Sequence, residues 1–195
     1  NLEPAESLAD EAAHLTEATG VSWISEIPAR SIKAQIMQNR GRLEEALEML
    51  QSPSTGPTGL YEESRAIATL SHVLSDLGRY DEAIEAARHG MDEAGEDLLG
   101  SAWCHRALAQ AHKLKGEPAE AERVLRAELA MLSESDWDEE RIQIMALLAA
   151  VLDDQGRHDE SWKTLDEARA ILHRFPPGAN IKKLDDLLIG YSDGT

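Results

Sequence analysis

The chain has 195 residues, 37 acidic against 19 basic side chains, and a formal charge of −18. A field of that sign repels phosphate backbones and anionic membrane surfaces, which argues against nucleic acid or a membrane as partner, and no apolar stretch approaches the roughly 20 residues that cross a bilayer. Hydrophobic residues make up 42%, carried largely by Ala and Leu with a single Phe, and Cys104 is the only cysteine; this is a helical composition without an internal disulfide, suited to a reducing cytoplasm.

In chain order, Leu2-Glu3-Pro4-Ala5-Glu6-Ser7 opens a predicted lone helix over about 4–18, with Leu8, Ala9, Ala12 and Leu15 along one side. A six-residue phrase then recurs: Gly41-Arg42-Leu43-Glu44-Glu45-Ala46, Gly78-Arg79-Tyr80-Asp81-Glu82-Ala83, Gly116-Glu117-Pro118-Ala119-Glu120-Ala121 and Gly156-Arg157-His158-Asp159-Glu160-Ser161. Its glycines stand 37, 38 and 40 residues apart, a period that marks stacked structural repeats. Each glycine lies between a longer and a shorter 3.6-period segment, so each is read as the left-handed turn of a helical hairpin. First helices are predicted at about 22–40, 60–77, 97–115 and 137–155, and second helices at about 42–51, 80–94, 118–132 and 158–172. Acidic residues after each glycine complement the dipole of the second helix, and Pro4 and Pro118 suit its first turn.

The breaks between hairpins fall at 52–59, at Gly95, and at Ser133 to Asp136, with Glu139 placed for a capping box. Asp136-Trp137-Asp138-Glu139-Glu140 lacks the glycine and spacing of a calcium loop; it reads as a carboxylate-decorated helix start with Trp137 packed on the preceding hairpin. After Phe175-Pro176-Pro177-Gly178, a short helix over about 179–190 would bring Ile181, Leu184, Leu187 and Leu188 onto the exposed end of the stack. The opening phrase aligns with Gly116 to Ala121, and Leu2 precedes Gly41 by 39 residues. The chain is therefore expected to start halfway through a repeat, either as a piece of a longer protein or as a stack whose first unit keeps one helix.

These residues resemble the tetratricopeptide-repeat family. Gly78 to Glu85 is similar to its turn and second-helix signature, with Leu70 and Leu74 in the first-helix core and small residues at Ala46, Ala83 and Ala121, where Ser161 departs mildly. The spacing of 37–40 residues exceeds the family's usual unit and is similar to the longer-helix variety of bacterial regulators and kinesin-light-chain-like proteins. The large first-helix aromatic is replaced by Arg30 or a neighbour, Ile67, His105 and Met145. The resemblance implies an all-α fold, a right-handed α-solenoid of about four hairpins with an extra N-terminal helix and a C-terminal cap. One domain is expected: a half repeat at 1–20, repeats at about 21–52, 60–95, 97–133 and 136–173, and a cap at 178–190.

In this family, first-helix residues outside the helical core line a concave groove. Here those positions are Ser31, Gln35, Gln38 and Asn39; Arg65, His72, Ser75 and Asp76; Trp103, Arg106, Gln110 and Lys113; and Gln143, Asp153 and Asp154. The set is polar with one large aromatic, which suits an extended peptide and equally suits the solvated face of amphipathic helices. Arg65, Arg106 and Lys113 could hold a carboxylate or could pair with the surplus of nearby Asp and Glu. The cationic, asparagine-containing carboxylate clamp of chaperone-binding relatives has no match. His72, Ser75 and Asp76 share a face at i, i+3 and i+4, yet nothing supplies an oxyanion site, so an enzyme is not expected. His105 and His112 lie about 10.5 Å apart along a helix, too far to share an ion, and with Cys104 they read as interior residues, with no metal or cofactor.

The implied role is a non-catalytic module binding a protein or peptide in its groove, within a larger bacterial regulatory or scaffold protein, with self-association possible through the N-terminal helix. The alternative is the ligand- or peptide-sensing region of a signal-transduction ATPase or transcription activator.

Overall fold

The computed structural model describes residues 26–52, 60–133, 135–175 and 188. Among them are eight helices and no strand: α1 (Glu26–Asn39), α2 (Leu43–Gln51), α3 (Leu60–Asp76), α4 (Tyr80–Ala94), α5 (Leu98–Lys115), α6 (Pro118–Met131), α7 (Asp138–Asp154) and α8 (His158–Leu172). The all-α expectation holds, and the ends of these helices lie within a residue or two of those predicted wherever the predicted ends are described. The lone helix over 4–18 lies outside the described residues, as does the final helix apart from Leu188.

The recurring glycines close the first helix of each hairpin by one mechanism. Gly78 has φ +74°; its amide bonds the Ser75 carbonyl at 3.0 Å and the Arg79 amide bonds Leu74 at 2.9 Å. That pair of bonds satisfies carbonyls a helix end leaves orphaned, and it requires the left-handed residue that glycine supplies. The pattern repeats at Gly156, whose φ is +73°, through Gly156 to Asp153 and Arg157 to Leu152. The arginine after the turn then clamps the second helix: Arg42, Arg79 and Arg157 each donate two bonds to the glutamate three residues on, Glu45, Glu82 and Glu160. The third hairpin has Glu117 in that place, and its Glu120 is held instead by Arg123.

Within a hairpin the closest approach is made by small residues. Ala34, Ala46 and Ala83 are fully buried. In the second hairpin Ser71 Oγ donates to the Ala83 carbonyl at 2.8 Å; in the fourth the direction reverses, with Ser161 Oγ donating to Ala149 at 2.8 Å. Ser161 thus departs from alanine in a way the packing uses, since a buried hydroxyl there needs a partner and finds one.

The chain divides into two compact units, one ending at Ala111 and the other starting at His112, so the division falls within α5. In the first, α1 and α2 both pack on α3, and α3 packs on α4. In the second, α6 and α8 both pack on α7. The apolar cluster of the second unit joins Ile142, Met145, Leu165, Ala168 and Leu172 to Leu188, which is fully buried. The start of α7 differs from expectation. Its N-cap is Trp137, with no side-chain cap bond, and that indole is 42% exposed instead of packed away.

Candidate functional site

The first-helix residues singled out above fall into sets governed by their register. Residues two and three positions before the turn glycines serve as rungs between hairpins. In the first unit Gln38 Nε2 donates to Asp76 Oδ2 at 2.7 Å. In the second, Lys113 Nζ lies 2.9 Å from Asp154 Oδ2, and Asp153 binds His158 Nδ1. Whereas Asp153 and His158 join the two helices of the fourth hairpin, the Gln38–Asp76 and Lys113–Asp154 pairs hold neighbouring first helices together, the pairing alternative raised for Lys113. Their spacing explains it: side chains in the last turn of one first helix reach the last turn of the next.

The residues nearer the middle of the first helices in the first unit make a different arrangement. The Arg65 guanidinium lies over the Trp103 ring, 5.2 Å from its centroid, a separation at which the ring quadrupole attracts a cation. Both side chains are partly buried, as are His72 and Arg106. Burial, and secondarily the positive charge of Arg106, push the His72 imidazole down to about 4. His72 is therefore neutral at pH 7, and Arg106 keeps its charge beside an uncharged ring. Gln110 is partly buried, while Gln35 and Asn39 are exposed. In the second unit Gln143 is partly buried on α7.

Two of the mapped positions are not on the surface. Ser31 and Ser75 are 0% and 2% exposed, and Ser75 Oγ donates to the Ser71 carbonyl at 2.9 Å. With Ser75 turned into its own helix and Asp76 bonded to Gln38, the i, i+3, i+4 spacing produces no nucleophile and base relay. His112 is 5% exposed, and its Nδ1 lies 2.7 Å from Glu117 Oε2. Lys115 first, then His112, hold the Glu117 carboxyl below its ordinary range. His105 Nδ1 meets the Ser101 carbonyl at 2.9 Å, and Cys104 Sγ faces the Ser64 carbonyl. Among the described residues no group of three or more His, Cys, Asp or Glu is placed to hold a metal ion. Nor is any helix there long and apolar enough to cross a membrane.

One interaction escaped sequence reasoning. Glu122 on α6 accepts two bonds from Arg157 Nη1, at 2.8 and 2.7 Å, and one from Gln155. Burial pushes its carboxyl up, but the bonds from Arg157, Gln155 and Arg126 outweigh that and leave it below the ordinary value. The only signal in the sequence is that Glu122 stands where Leu47 and Ile84 stand in earlier hairpins.

Comparison with known families matches this geometry. A tetratricopeptide-repeat model matches residues 27–52 and 102–127, and a second model of the same description matches 64–95; each stretch contains a turn glycine and the helix ends it joins. It is a tetratricopeptide-repeat protein. Crystal structures of a Podosopora anserina kinesin-light-chain-type protein with nearly identical TPR-like repeats share the fold. One superposes with a TM-score of 0.57 at 17% identity, over 89% of this chain and 95% of that one. A single-substitution variant gives 0.59 at 19%, over 89% and 87%. No curated protein matches the chain. Tetratricopeptide repeats act in general as non-catalytic modules for protein–protein interaction.

Proposed function

We propose that the chain binds a peptide segment of a partner protein on the first-helix surface of its first unit, and that an acidic side chain or terminal carboxylate of the peptide is the anchor. The observation that carries this reading is the Arg65 guanidinium layered on Trp103. A planar cation over an aromatic ring combines a stacking surface with a directional donor, the pairing used to hold carboxylates and peptide side chains. Arg106 adds a second cation beside a neutral His72, so the positive charge offered to an anion there is that of the guanidiniums. Gln35, Gln38, Asn39, Asp76 and Gln110 offer amide and carboxylate groups to a peptide backbone.

The test is capture of partners from the native lysate by the intact chain, identification of the retained segment, and titration of that segment against variants. Trp103→Ala and Arg65→Ala should each weaken it about tenfold or more, the scale of losing one anchor contact. Circular dichroism must show both variants folded. Equal affinity for intact chain and variants would move the site off this surface and refute the reading.

A further inference from the structure

Two residues before the turn glycine the four hairpins carry, in chain order, Asn39, Asp76, Leu114 and Asp154. The two carboxylates at this register have different partners. Asp154 lies 2.9 Å from the Lys113 ammonium, so its charge is balanced within the second unit. Asp76 is exposed and accepts a bond at 2.7 Å from Gln38 Nε2. That donor is a neutral amide, so the bond orders the carboxylate and leaves its negative charge standing at the surface.

Asp76 shares a stripe of α3 with the cationic anchor. It follows Arg65 by 11 residues, which turns it by only about 20° around the helix and carries it about 16 Å along the axis. His72 stands between them on the same stripe, and its imidazole, lowered to about 4, is neutral at pH 7. The first unit therefore presents a polar stripe with the Arg65 and Arg106 guanidiniums toward one end and a carboxylate at the other. The charge of the whole chain, −18, points to the same kind of ligand. A field of that sign slows the approach of an acidic segment and speeds that of a basic one. A segment whose acid is held locally by guanidiniums gains from basic side chains elsewhere along it.

We propose that the partner segment is net basic, with one carboxylate anchor and, four or five residues along, a lysine or arginine that pairs with Asp76. The spacing follows from the geometry, since an extended chain advances about 3.3 Å per residue and four or five residues join the guanidinium end of the stripe to Asp76. The proposal rests on the peptide reading above and adds to it the charge pattern of the ligand, a matter of complementarity along one helix face.

The test selects random peptides of about 12 residues, displayed with a free C-terminus, on the full chain. Enriched sequences are then titrated as synthetic peptides against variants that circular dichroism shows to be folded. Peptides that depend on Arg65 and Trp103 should carry Lys or Arg four or five residues from the acidic group. Asp76→Asn keeps an oxygen for Gln38 and removes the charge. It should weaken these peptides about two- to fivefold, the range for one exposed ion pair, and leave unchanged the versions with Gln in place of the basic residue. Peptides that lose affinity for Trp103→Ala yet show no basic residue at that spacing, or that bind Asp76→Asn as tightly as the natural chain, would overturn this inference and leave the anchor reading intact. Basic residues enriched equally at every distance from the acid would reduce the preference to the general field and overturn the pairing too. Peptides indifferent to both Arg65→Ala and Trp103→Ala would refute the anchor reading itself, and this inference with it.

Discussion

Acidification from pH 7 to pH 5 should destabilise the first unit through one side chain, His72. Its imidazole is pushed from 6.5 to about 4, chiefly by burial and then by Arg106. The unfolded chain therefore binds a proton at pH values where the native state does not, and stability falls as pH drops from about 6.5 toward 4, where the slope ends. With those two values, the differential proton binding accumulated between pH 7 and pH 5 is about 2 kcal/mol. Glu117 and Glu122, whose carboxyls are held below their ordinary value, stay ionised in the native state over that interval. Urea unfolding followed by circular dichroism at pH 7, 6 and 5 should show this loss in the natural chain. His72→Gln, which keeps a polar side chain without a titrating group, should show a loss smaller by about 2 kcal/mol. Parallel slopes in the two proteins would refute the reasoning, as would a natural chain that gains stability at pH 5.

Two glycine substitutions should separate space from backbone conformation. A Cβ on Gly90 would meet Cys104 Sγ at 2.6 Å and Ile67 Cγ2 at 2.9 Å, so Gly90→Ala should cost about 1–3 kcal/mol by overpacking, although the same exchange in an open helix is stabilising; an unchanged urea midpoint would contradict it. Gly156 has φ +73° and nothing within 4 Å of a built Cβ, so Gly156→Ala should cost about 1–2 kcal/mol from left-handed backbone strain alone, checked in the same assay. Arg157→Ala removes the guanidinium shared by Glu122 and Glu160. It should lower the unfolding midpoint by an amount that shrinks in molar salt, and a salt-independent deficit would point to lost packing instead.

What could be read from the sequence follows from which signals are local. The turn glycines were legible because the left-handed conformation restricts the residue type, and the helix that follows was legible because acidic residues such as Asp81 and Glu82 stand in its first turn, where they complement the helix dipole. The small positions Ala46 and Ala83 were legible because two helices approach closely there. Which serines face solvent was not legible. Ser31 and Ser75 share the wheel positions of groove residues, and a hydroxyl is small enough to be buried against its own helix backbone. The rungs from Gln38 to Asp76 and from Lys113 to Asp154 join residues 38 and 41 positions apart, about one repeat, so the register brings them level, but which polar side chains pair there depends on how neighbouring first helices pack. Stacking of Arg65 on Trp103 likewise depends on how two first helices settle against each other.

The position of Cys104 offers a way to count rare opening events. It is the only thiol in the chain, it is fully buried, and it sits between the Ser64 carbonyl and the bare Cα of Gly90. A thiol reagent can reach it only when α5 separates from α3 and α4, so the rate of labelling reports that separation without any engineered probe. At high reagent concentration the rate reaches a ceiling set by the opening itself; at low concentration it reports the population of the open form. A ligand that bridges Arg65 and Trp103 would bind α3 and α5 together, and its occupancy would register as slower trapping of this one sulfur.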